Sequence, residues 1–196
     1  MKVLILVDVQ NDFMPTGALP VPDGDAIVPI INQEMTQFDL VVATQDWHPH
    51  DHLSFASNHP GKKPFDVIRL DGYEQILWPD HCIQGSHGAA LHPQLNQNPI
   101  EAIIRKGSDK RVDSYSGFYD NHRKYNTGLA GYLRARGVTS LYFAGLAADI
   151  CVYCTIQDAV SEGFECTLID AATRPLDKAK YEQIKQKLRQ QQVRII

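Results

Sequence analysis

The sequence contains no apolar run long enough to cross a bilayer, no cluster of basic residues and few cysteines. A chain without a basic patch is a poor candidate for binding nucleic acid, and one without a long apolar run is a poor candidate for membrane insertion. Four cysteines in 196 residues are too few for a disulfide framework, so reduced thiols and a cytoplasmic location are expected. The apolar N-terminus meets Asp8 without a small-residue cleavage site, which indicates a strand rather than a signal peptide.

Repeats, low-complexity tracts and linkers are absent too, and a chain that is 43% hydrophobic with a net charge of −4 can form one well-buried domain over residues 1–196. Strand-like apolar runs alternate with helix-like stretches, which predicts an α/β fold: a three-layer α/β/α sandwich with a mainly parallel sheet of about six strands. The strands are expected at 2–9, 40–44, 100–105, 140–144, 165–170 and 193–196, with a small one at 66–70. The helices are expected at 25–38 with Asp25 as its cap, before Gly137, from 149 to a stop at Gly163, and at 177–192.

Polar side chains stand at or just after the ends of four predicted strands. They are Asp8, Asp46, Lys106 and Cys151. In a parallel α/β sheet, ligands bind beyond the carboxyl ends of the strands. We therefore expect these four side chains to converge at one edge of the sheet.

Cys151 lies in the first turn of a predicted helix whose apolar residues Val152, Ile156 and Val160 are spaced four apart. At a helix N-terminus the dipole and the free amides favour an anion, so this thiol should ionise more easily and is the candidate nucleophile. Taken alone, a cysteine is more often an inert core residue. A redox pair with Cys154 is disfavoured, because a thioredoxin-like fold places such a pair after an early strand.

Asp8 and Lys106 are candidates for groups that assist this nucleophile. A carboxylate within an apolar segment is costly to bury unless it is paired or used, although a salt bridge or a loop cap would also explain it. Lys106 could simply extend to solvent. As a set with Cys151, however, the lysine would favour the thiolate, and the carboxylate could take the thiol proton and return it to a leaving group.

Residues 45–99 form a long, irregular, histidine-rich excursion, and a loop of this length is usually functional. Its polar residues fall into two groups, Asp46-Trp47-His48-Pro49-His50-Asp51-His52 and Trp78-Pro79-Asp80-His81-Cys82. Carboxylate and imidazole ligands at short spacing suit a divalent transition metal such as zinc, iron or manganese. A solvated loop explains any single histidine better, but not the cluster. The spacing does not choose among His48, His50 and His52, nor does it exclude Cys82.

Several longer motifs extend over nearly the whole chain. They are Asp8-Val9-Gln10-Asn11-Asp12-Phe13, the spaced Asp46, His48 and His52, Trp78-Pro79-Asp80-His81-Cys82, Arg105-Lys106-Gly107, Asp113-Ser114-Tyr115-Ser116-Gly117-Phe118 and Gly145-Leu146-Ala147-Ala148-Asp149-Ile150-Cys151-Val152. In these motifs the chain resembles the bacterial nicotinamidases (pyrazinamidases) of the isochorismatase-like cysteine hydrolase family. It departs from them at Ala148, where many relatives carry threonine, and at Ile150, where histidine or phenylalanine is more usual. Neither departure would touch a proposed catalytic atom.

The resemblance implies an amidohydrolase that converts nicotinamide, and also pyrazinamide, to the free acid and ammonia through a cysteine thioester. Its implied catalytic triad is Asp8, Lys106 and Cys151. The resemblance also implies a cis peptide between Leu146 and Ala147, which would direct the amides of Ala147 and Cys151 at an oxyanion.

The resemblance further implies a ring-binding pocket and one divalent metal ion. Phe13 and Trp78 would sandwich the pyridine ring, with Tyr115 nearby. The implied ligands of the ion are Asp46, His48, His52 and His81. His50 and Cys82 are left unassigned.

Three other functions compete with this one. An isochorismatase would share the sheet, but typically lacks both the nucleophilic cysteine and the metal cluster. An N-carbamoyl amidohydrolase would keep the triad without the metal-binding loop. A metal-stabilised interaction domain would require Asp8 and Lys106 to be incidental. The sequence predicts a small-molecule substrate and no nucleic-acid or membrane partner. A homo-oligomer is possible, but the sequence does not decide the oligomeric state because it shows no recognisable exposed apolar stripe.

Overall fold

The computed structural model describes residues 1–196 and contains a six-stranded sheet in which every neighbouring pair of strands is parallel. The strands of the chain are β1 (Val3–Val7), β2 (Leu40–Asp46), β3 (Val67–Leu70), β4 (Tyr73–Ile76), β5 (Ile100–Lys106), β6 (Ser140–Leu146), β7 (Glu165–Arg174) and β8 (Arg194–Ile195). The main sheet has the order β5-β2-β1-β6-β7-β8, and β3 and β4 form a separate hairpin. The predicted α/β fold is confirmed.

Four α-helices accompany the sheet: α1 (Ile27–Glu34), α2 (Leu129–Arg134), α3 (Cys151–Ser161) and α4 (Lys178–Gln190). The first residues of α4 and of α1 show how the local sequence sets a helix boundary. Asp177 has an extended backbone, and its carboxylate accepts hydrogen bonds from two amides of α4. Asp25 does not cap α1, as the sequence predicted, because it lies inside a 3-10 turn at Gly24–Ala26. The same helix ends at Glu34, where a second 3-10 turn begins, rather than continuing to residue 38.

Strand β1 lies at the centre of the sheet and is buried on both faces. Val3, Ile5 and Val7 pack into a core shared with α2, α3 and α4, whereas Leu4 and Leu6 pack into a second core shared with α1. Successive side chains of a strand point to opposite faces, so an uninterrupted apolar run is what a strand covered on both sides requires. The helices therefore form two layers around the sheet.

The excursion contains a 3-10 turn at Ala56–Asn58 and an antiparallel hairpin of β3 and β4. The sequence predicted only a single small strand here. The two strands are joined by Asp71 and Gly72, which both have positive φ, at +49° and +89°. Asp-Gly is a preferred pair for a two-residue hairpin turn, because such turns need left-handed backbone at both positions.

The carboxyl ends of the inner strands bring the predicted site residues to one edge. Strand β2 ends at Asp46 and β5 ends at Lys106, while Asp8 follows β1 directly and Cys151 begins the helix after β6. None of the helices combines the length and the apolar composition that a bilayer crossing requires.

Candidate active site

The side chains of Asp8, Asp46 and Lys106 form a buried charge cluster at this edge. Asp46 and Lys106 are register partners on neighbouring strands, and Nζ of Lys106 contacts Oδ1 of Asp46. The same ammonium lies 2.9 Å from Oδ2 of Asp8 and donates to the carbonyl oxygen of Ser114 at 2.9 Å. One buried cation therefore lies between two buried acids, as the expected convergence of Asp8, Asp46 and Lys106 at one edge of the sheet required.

Electrostatics within the charge cluster sets the protonation of each member. Burial alone would lower the pKa of Lys106, but Asp46 and Asp8 outweigh it and raise that pKa well above its ordinary value. Burial opposes the charge of Asp46 too, yet Lys106 and His48 hold the pKa of Asp46 well below its ordinary value. For Asp8, burial outweighs the attraction of Lys106 and raises the pKa from 3.8 to about 6. Asp8 is thus the carboxylate better placed to accept a proton.

Thr44 on β2 orients the carboxyl group of Asp8. Its hydroxyl donates to Oδ1 of Asp8 at 2.5 Å and accepts the backbone N–H of Asp8 at 3.2 Å. Oδ2 of Asp8 forms an ion pair with Nζ of Lys106 at 2.9 Å. That oxygen retains lone pairs for an incoming proton.

Cys151 adjoins the charge cluster from the start of α3. Its Sγ lies 3.7 Å from Nζ of Lys106, and one donor atom each of Asp8, Asp46 and Cys151 lie within 4.8 Å of one another. The expectation of an easily ionised thiol is wrong, because burial raises the pKa of Cys151 well above its ordinary value and Lys106 offsets this only in part. A buried neutral thiol needs a neighbouring base, and the carboxylate of Asp8 has an oxygen within 4.8 Å of the sulfur.

The loop between β6 and α3 presents free amides beside the thiol. The peptide bond between Leu146 and Ala147 is cis, as the family resemblance implied. Within this loop, the amide of Ala148 donates to Arg174 and that of Ile150 donates to Ala147, whereas the amides of Ala147 and Cys151 donate to none of its acceptors. Both N–H groups are available to an oxyanion, and that role stays a prediction.

His48 and His81 direct one ring nitrogen each toward Asp46. Nε2 of His48 lies 3.6 Å, and Nε2 of His81 lies 4.0 Å, from Oδ2 of Asp46. The opposite nitrogen, Nδ1, faces the carbonyl oxygen of Gly107 in His48 (2.9 Å) and that of Pro79 in His81 (2.8 Å). A carbonyl only accepts, so in the neutral ring Nδ1 carries the proton and Nε2 keeps the lone pair that a metal requires. Although burial alone would lower the pKa of His48, the neighbouring carboxylate of Asp46 raises it. Burial also lowers the pKa of His81 to about 4, so its imidazole is neutral. One carboxylate and two such imidazoles fit a divalent transition metal.

His52, the fourth ligand implied by the resemblance, is oriented differently. Its ring centroid is 4.6 Å from that of His48. Its donor atom lies within 4.8 Å of donor atoms of His48 and Asp113, but it does not join the group formed by Asp46, His48 and His81. Nε2 of His52 is buried. The structure thus brings three of the four predicted ligands together and sets the fourth beside them.

A cavity joins the thiol to the metal-ligand group. Its lining residues are Phe13, Leu19, Val21, Asp46, Trp78, His81, Asp113, Tyr115, Ala147, Ile150, Cys151 and Leu176. The three predicted ring-binding residues are among them, and Nε1 of Trp78 donates to the hydroxyl of Tyr115 at 3.2 Å. Ile150, one of the two departures from the family pattern, also lines the wall. A mostly apolar cavity with a few polar groups in its lining suits a small aromatic molecule.

Sequence reasoning missed three residues that support this site. Thr44 was visible as a polar residue in a buried strand, and Asp113 as a carboxylate in the Asp-Ser-Tyr motif. Gln10 brackets the backbone of the second acid: its side chain donates to the carbonyl of Asp46 at 2.9 Å and accepts the N–H of Asp46 at 2.8 Å. Of the two residues left open, His50 is exposed and Cys82 is buried, and both lie outside the metal-ligand groups.

The family model described as the isochorismatase domain matches residues 2–196. The chain belongs to the isochorismatase family. A nicotinamidase of Acinetobacter baylyi is 51% identical over 174 residues, which cover 89% of this chain and 81% of that protein. A nicotinamidase of Escherichia coli is 45% identical over 177 residues, which cover 88% of this chain and 83% of that protein.

Solved structures similar to this isochorismatase-family chain include a nicotinamidase/pyrazinamidase of Acinetobacter baumanii, with a TM-score of 0.96, 49% identity and coverage of 100% of this chain and 95% of that one. A protein of L. infantum in complex with nicotinate has a TM-score of 0.88 and 37% identity, covering 100% and 92% of the two chains. A pyrazinamidase of Pyrococcus horikoshii in complex with zinc has a TM-score of 0.82 and 35% identity, covering 100% and 98%.

Proposed function

We propose that this chain is a nicotinamidase, which hydrolyses nicotinamide, and also pyrazinamide, to the free acid and ammonia. The observation that carries the proposal is one cavity lined at once by the Cys151 thiol, the metal-ligand pair Asp46 and His81, and the aromatic side chains Trp78 and Tyr115. The nicotinamidase relatives and the nicotinate complex described above support the same substrate. An N-carbamoyl amidohydrolase would leave the buried histidines without a role.

Acylation begins with the buried thiol and its neighbouring base. Asp8 takes the proton of Cys151, and Lys106, which stays protonated, stabilises the resulting thiolate. The sulfur attacks the carboxamide carbon, and the amides of Ala147 and Cys151 donate to the oxyanion of the tetrahedral intermediate. Each such donor contributes about 2.7–4 kcal/mol in comparable sites. Asp8 then gives its proton to the departing nitrogen, the C–N bond breaks, and ammonia leaves a thioester on the sulfur.

Deacylation repeats the same proton transfers with water as the nucleophile. Asp8, again a carboxylate, takes a proton from the attacking water, and the thioester C–S bond breaks to release the acid. The proton returns to the sulfur of Cys151, which restores the starting state. The raised pKa of Asp8, about 6, suits a group that must both accept and donate a proton.

Asp46, His48 and His81 would hold a divalent transition metal ion, whose donor set suits zinc, iron or manganese. When bound, the ion supplies a Lewis acid that can ligate the ring nitrogen of the substrate. Phe13 and Trp78 would then enclose the ring from the cavity walls. The zinc complex of the similar pyrazinamidase of Pyrococcus horikoshii supports the binding of a metal ion. All four cysteines are free, which fits a reducing compartment such as the cytoplasm, and self-association stays a prediction.

The decisive experiment compares two cysteines of the same helix. Cys151→Ala should abolish ammonia release from nicotinamide while leaving the bound metal unchanged, because Cys151 is proposed as nucleophile and not as ligand. Cys154→Ala, one turn further along α3, removes a half-buried thiol that no step uses and should keep activity. Ammonia is measured enzymatically and metal by elemental analysis. Turnover retained in Cys151→Ala would refute the proposed reaction.

A further inference from the structure

Asp149 is a buried carboxylate that no step of the proposed reaction uses. None of the ion pairs of the protein includes it. Its oxygens accept two backbone amides instead: Oδ1 accepts the N–H of Leu176 at 2.8 Å, and Oδ2 accepts the N–H of Asp177 at 3.2 Å. A buried carboxylate is costly unless its charge is used, and hydrogen bonds to a charged acceptor are roughly twice as strong as neutral ones. Asp149 therefore holds the chain firmly at these two residues.

The two hydrogen bonds extend the connection between β6 and β7 beyond the ends of both strands. Leu146 and Arg174 are the last register partners, and the amide of Ala148 then donates to the carbonyl oxygen of Arg174 at 2.8 Å. The next residue, Pro175, has no N–H to donate. From here the carboxylate of Asp149 supplies the acceptors, so it joins the loop before α3 to the segment before α4 where backbone pairing stops.

Both of the joined segments contribute to the wall of the cavity. Ile150, which follows Asp149 directly, and Leu176, whose amide the carboxylate binds, line the cavity together with Cys151. Leu176 is only half-buried and lies between β7 and α4, outside any helix or strand. The position of its side chain therefore depends on the hydrogen bond that its own amide makes with Asp149.

Helix capping does not explain these hydrogen bonds. The residue before α3 is Ile150, and no side chain caps that helix. At the start of α4, Asp177 caps the helix with its own carboxylate, which accepts hydrogen bonds from two amides of the first turn. Asp149 binds the two residues that precede α4, so it acts between the two helices rather than as the cap of either one.

We propose that Asp149 is a positioning residue that fixes Leu176 in the cavity wall and thereby restricts the cavity to amides of small, unsubstituted aromatic rings. The inference rests on the proposed function, because it concerns the selectivity of the same cavity. With its amide bound, Leu176 occupies room that a substituent on the ring would need. Without that bond, residue 176 can move away from the cavity and a larger ring can enter. A difference of one methyl group in an apolar pocket typically changes kcat/KM by about 10- to 200-fold.

The test compares kcat/KM for nicotinamide with kcat/KM for a set of methylnicotinamides, one for each free carbon of the ring. Leu176→Ala and Asp149→Ala should each raise kcat/KM for at least one methylnicotinamide, relative to nicotinamide, by about tenfold or more, and at the same ring position. Asp149→Asn retains one acceptor oxygen for the amide of Leu176 and should keep most of the selectivity. Asp149→Ser, whose hydroxyl cannot reach both amides, takes the place of Asp149→Ala if that variant does not fold.

A double variant shows whether Asp149 acts through Leu176. Once the leucine side chain is gone, loss of the carboxylate should change the selectivity no further, so the combination of Asp149→Ala with Leu176→Ala should match Leu176→Ala alone. Asp158→Asn is the matched control. Asp158 is also a buried carboxylate, but it lies on α3, pairs with Arg123 and does not line the cavity, so its replacement should leave the selectivity unchanged.

Two results would overturn the inference while leaving the proposed function standing. One is a uniform fall in kcat/KM for all the amides in Asp149→Ala, which would show a structural role alone. The other is an unchanged selectivity in Leu176→Ala, which would remove this side chain from the part of the wall that meets the ring. If the unaltered protein releases ammonia from none of the amides, the proposed function itself is refuted, and the inference with it.

Discussion

Gly107 is the residue whose replacement tests the geometry of the metal-ligand group most directly. A Cβ at this position would lie 2.3 Å from Cε1 and 2.6 Å from Nδ1 of His48, so the ring would have to move. Gly107 also has a φ of +67°, and an L-residue in this left-handed region costs about 1–2 kcal/mol. Gly107→Ala therefore combines a backbone cost with displacement of a ligand.

Gly137 provides a matched control, because it has a φ of +68° and nothing within 4 Å of the added Cβ. Gly137→Ala should lose only the backbone term, about 1–2 kcal/mol, which corresponds to a decrease in Tm of roughly 2–8 °C for a chain of this size. Gly107→Ala should lose at least as much and should also bind zinc about 10- to 100-fold more weakly, as expected when a ligand is misplaced.

The assay pairs thermal denaturation of the metal-free proteins with chelator competition for zinc. The reasoning is refuted if Gly107→Ala loses no more stability than Gly137→Ala and binds zinc as tightly as the unaltered protein. In that case the His48 ring would not depend on the space above Gly107.

Three further predictions concern the charge cluster and the ion. Because Asp8 must be ionised to act as a base, kcat/KM for nicotinamide should fall about tenfold per pH unit below pH 6. Thr44→Val removes a hydrogen bond that lowers the pKa of Asp8, so it should move the acidic limb of this pH profile to higher pH. An acidic limb that stays in place would contradict the assignment of Asp8 as the base. Lys106→Met leaves two buried carboxylates without their cation and should lower the free energy of unfolding by roughly 3–5 kcal/mol, or Tm by about 6–20 °C. Lys110→Met breaks only the exposed pair with Asp51 and should lower that free energy by about 0–1 kcal/mol. Similar losses in the two variants, measured by thermal denaturation, would argue against a charge cluster. Dialysis against a chelator should abolish ammonia release and added zinc should restore it, so full activity in metal-free protein would remove the ion from the reaction.

The location of the site followed from simple rules about sheets. Apolar runs alternating with helical periods predicted a parallel sheet, and polar residues at four strand ends indicated its functional edge. Asp46 and Lys106 end β2 and β5 in register, so their side chains meet as a direct consequence of strand pairing. The hairpin of β3 and β4 was also predictable, since Asp71-Gly72 is a strong turn signal that the sequence reading overlooked.

Other properties of the site depend on contacts that no local pattern encodes. The sharing of Lys106 between Asp8 and Asp46 joins residues up to 98 positions apart and requires the register of three strands. The high pKa of Cys151 results from enclosure by the folded chain, which outweighs the expected effect of the helix start. The tautomer of His52 is set by a backbone amide two residues away, and residue type and spacing give no information about it.

The shared lysine has a consequence for how such an enzyme can be tuned. Any cation that draws electron density from the carboxylate of Asp46 weakens the hold of that acid on the ammonium, which then interacts more strongly with Asp8. The pKa of Asp8 would therefore depend on which ion is bound, although Asp8 is connected to that ion only through Asp46 and Lys106. The identity of the metal and the reactivity of the Cys151 sulfur would then vary together. Exchange of zinc for iron or manganese would change the pH at which Asp8 can deprotonate Cys151.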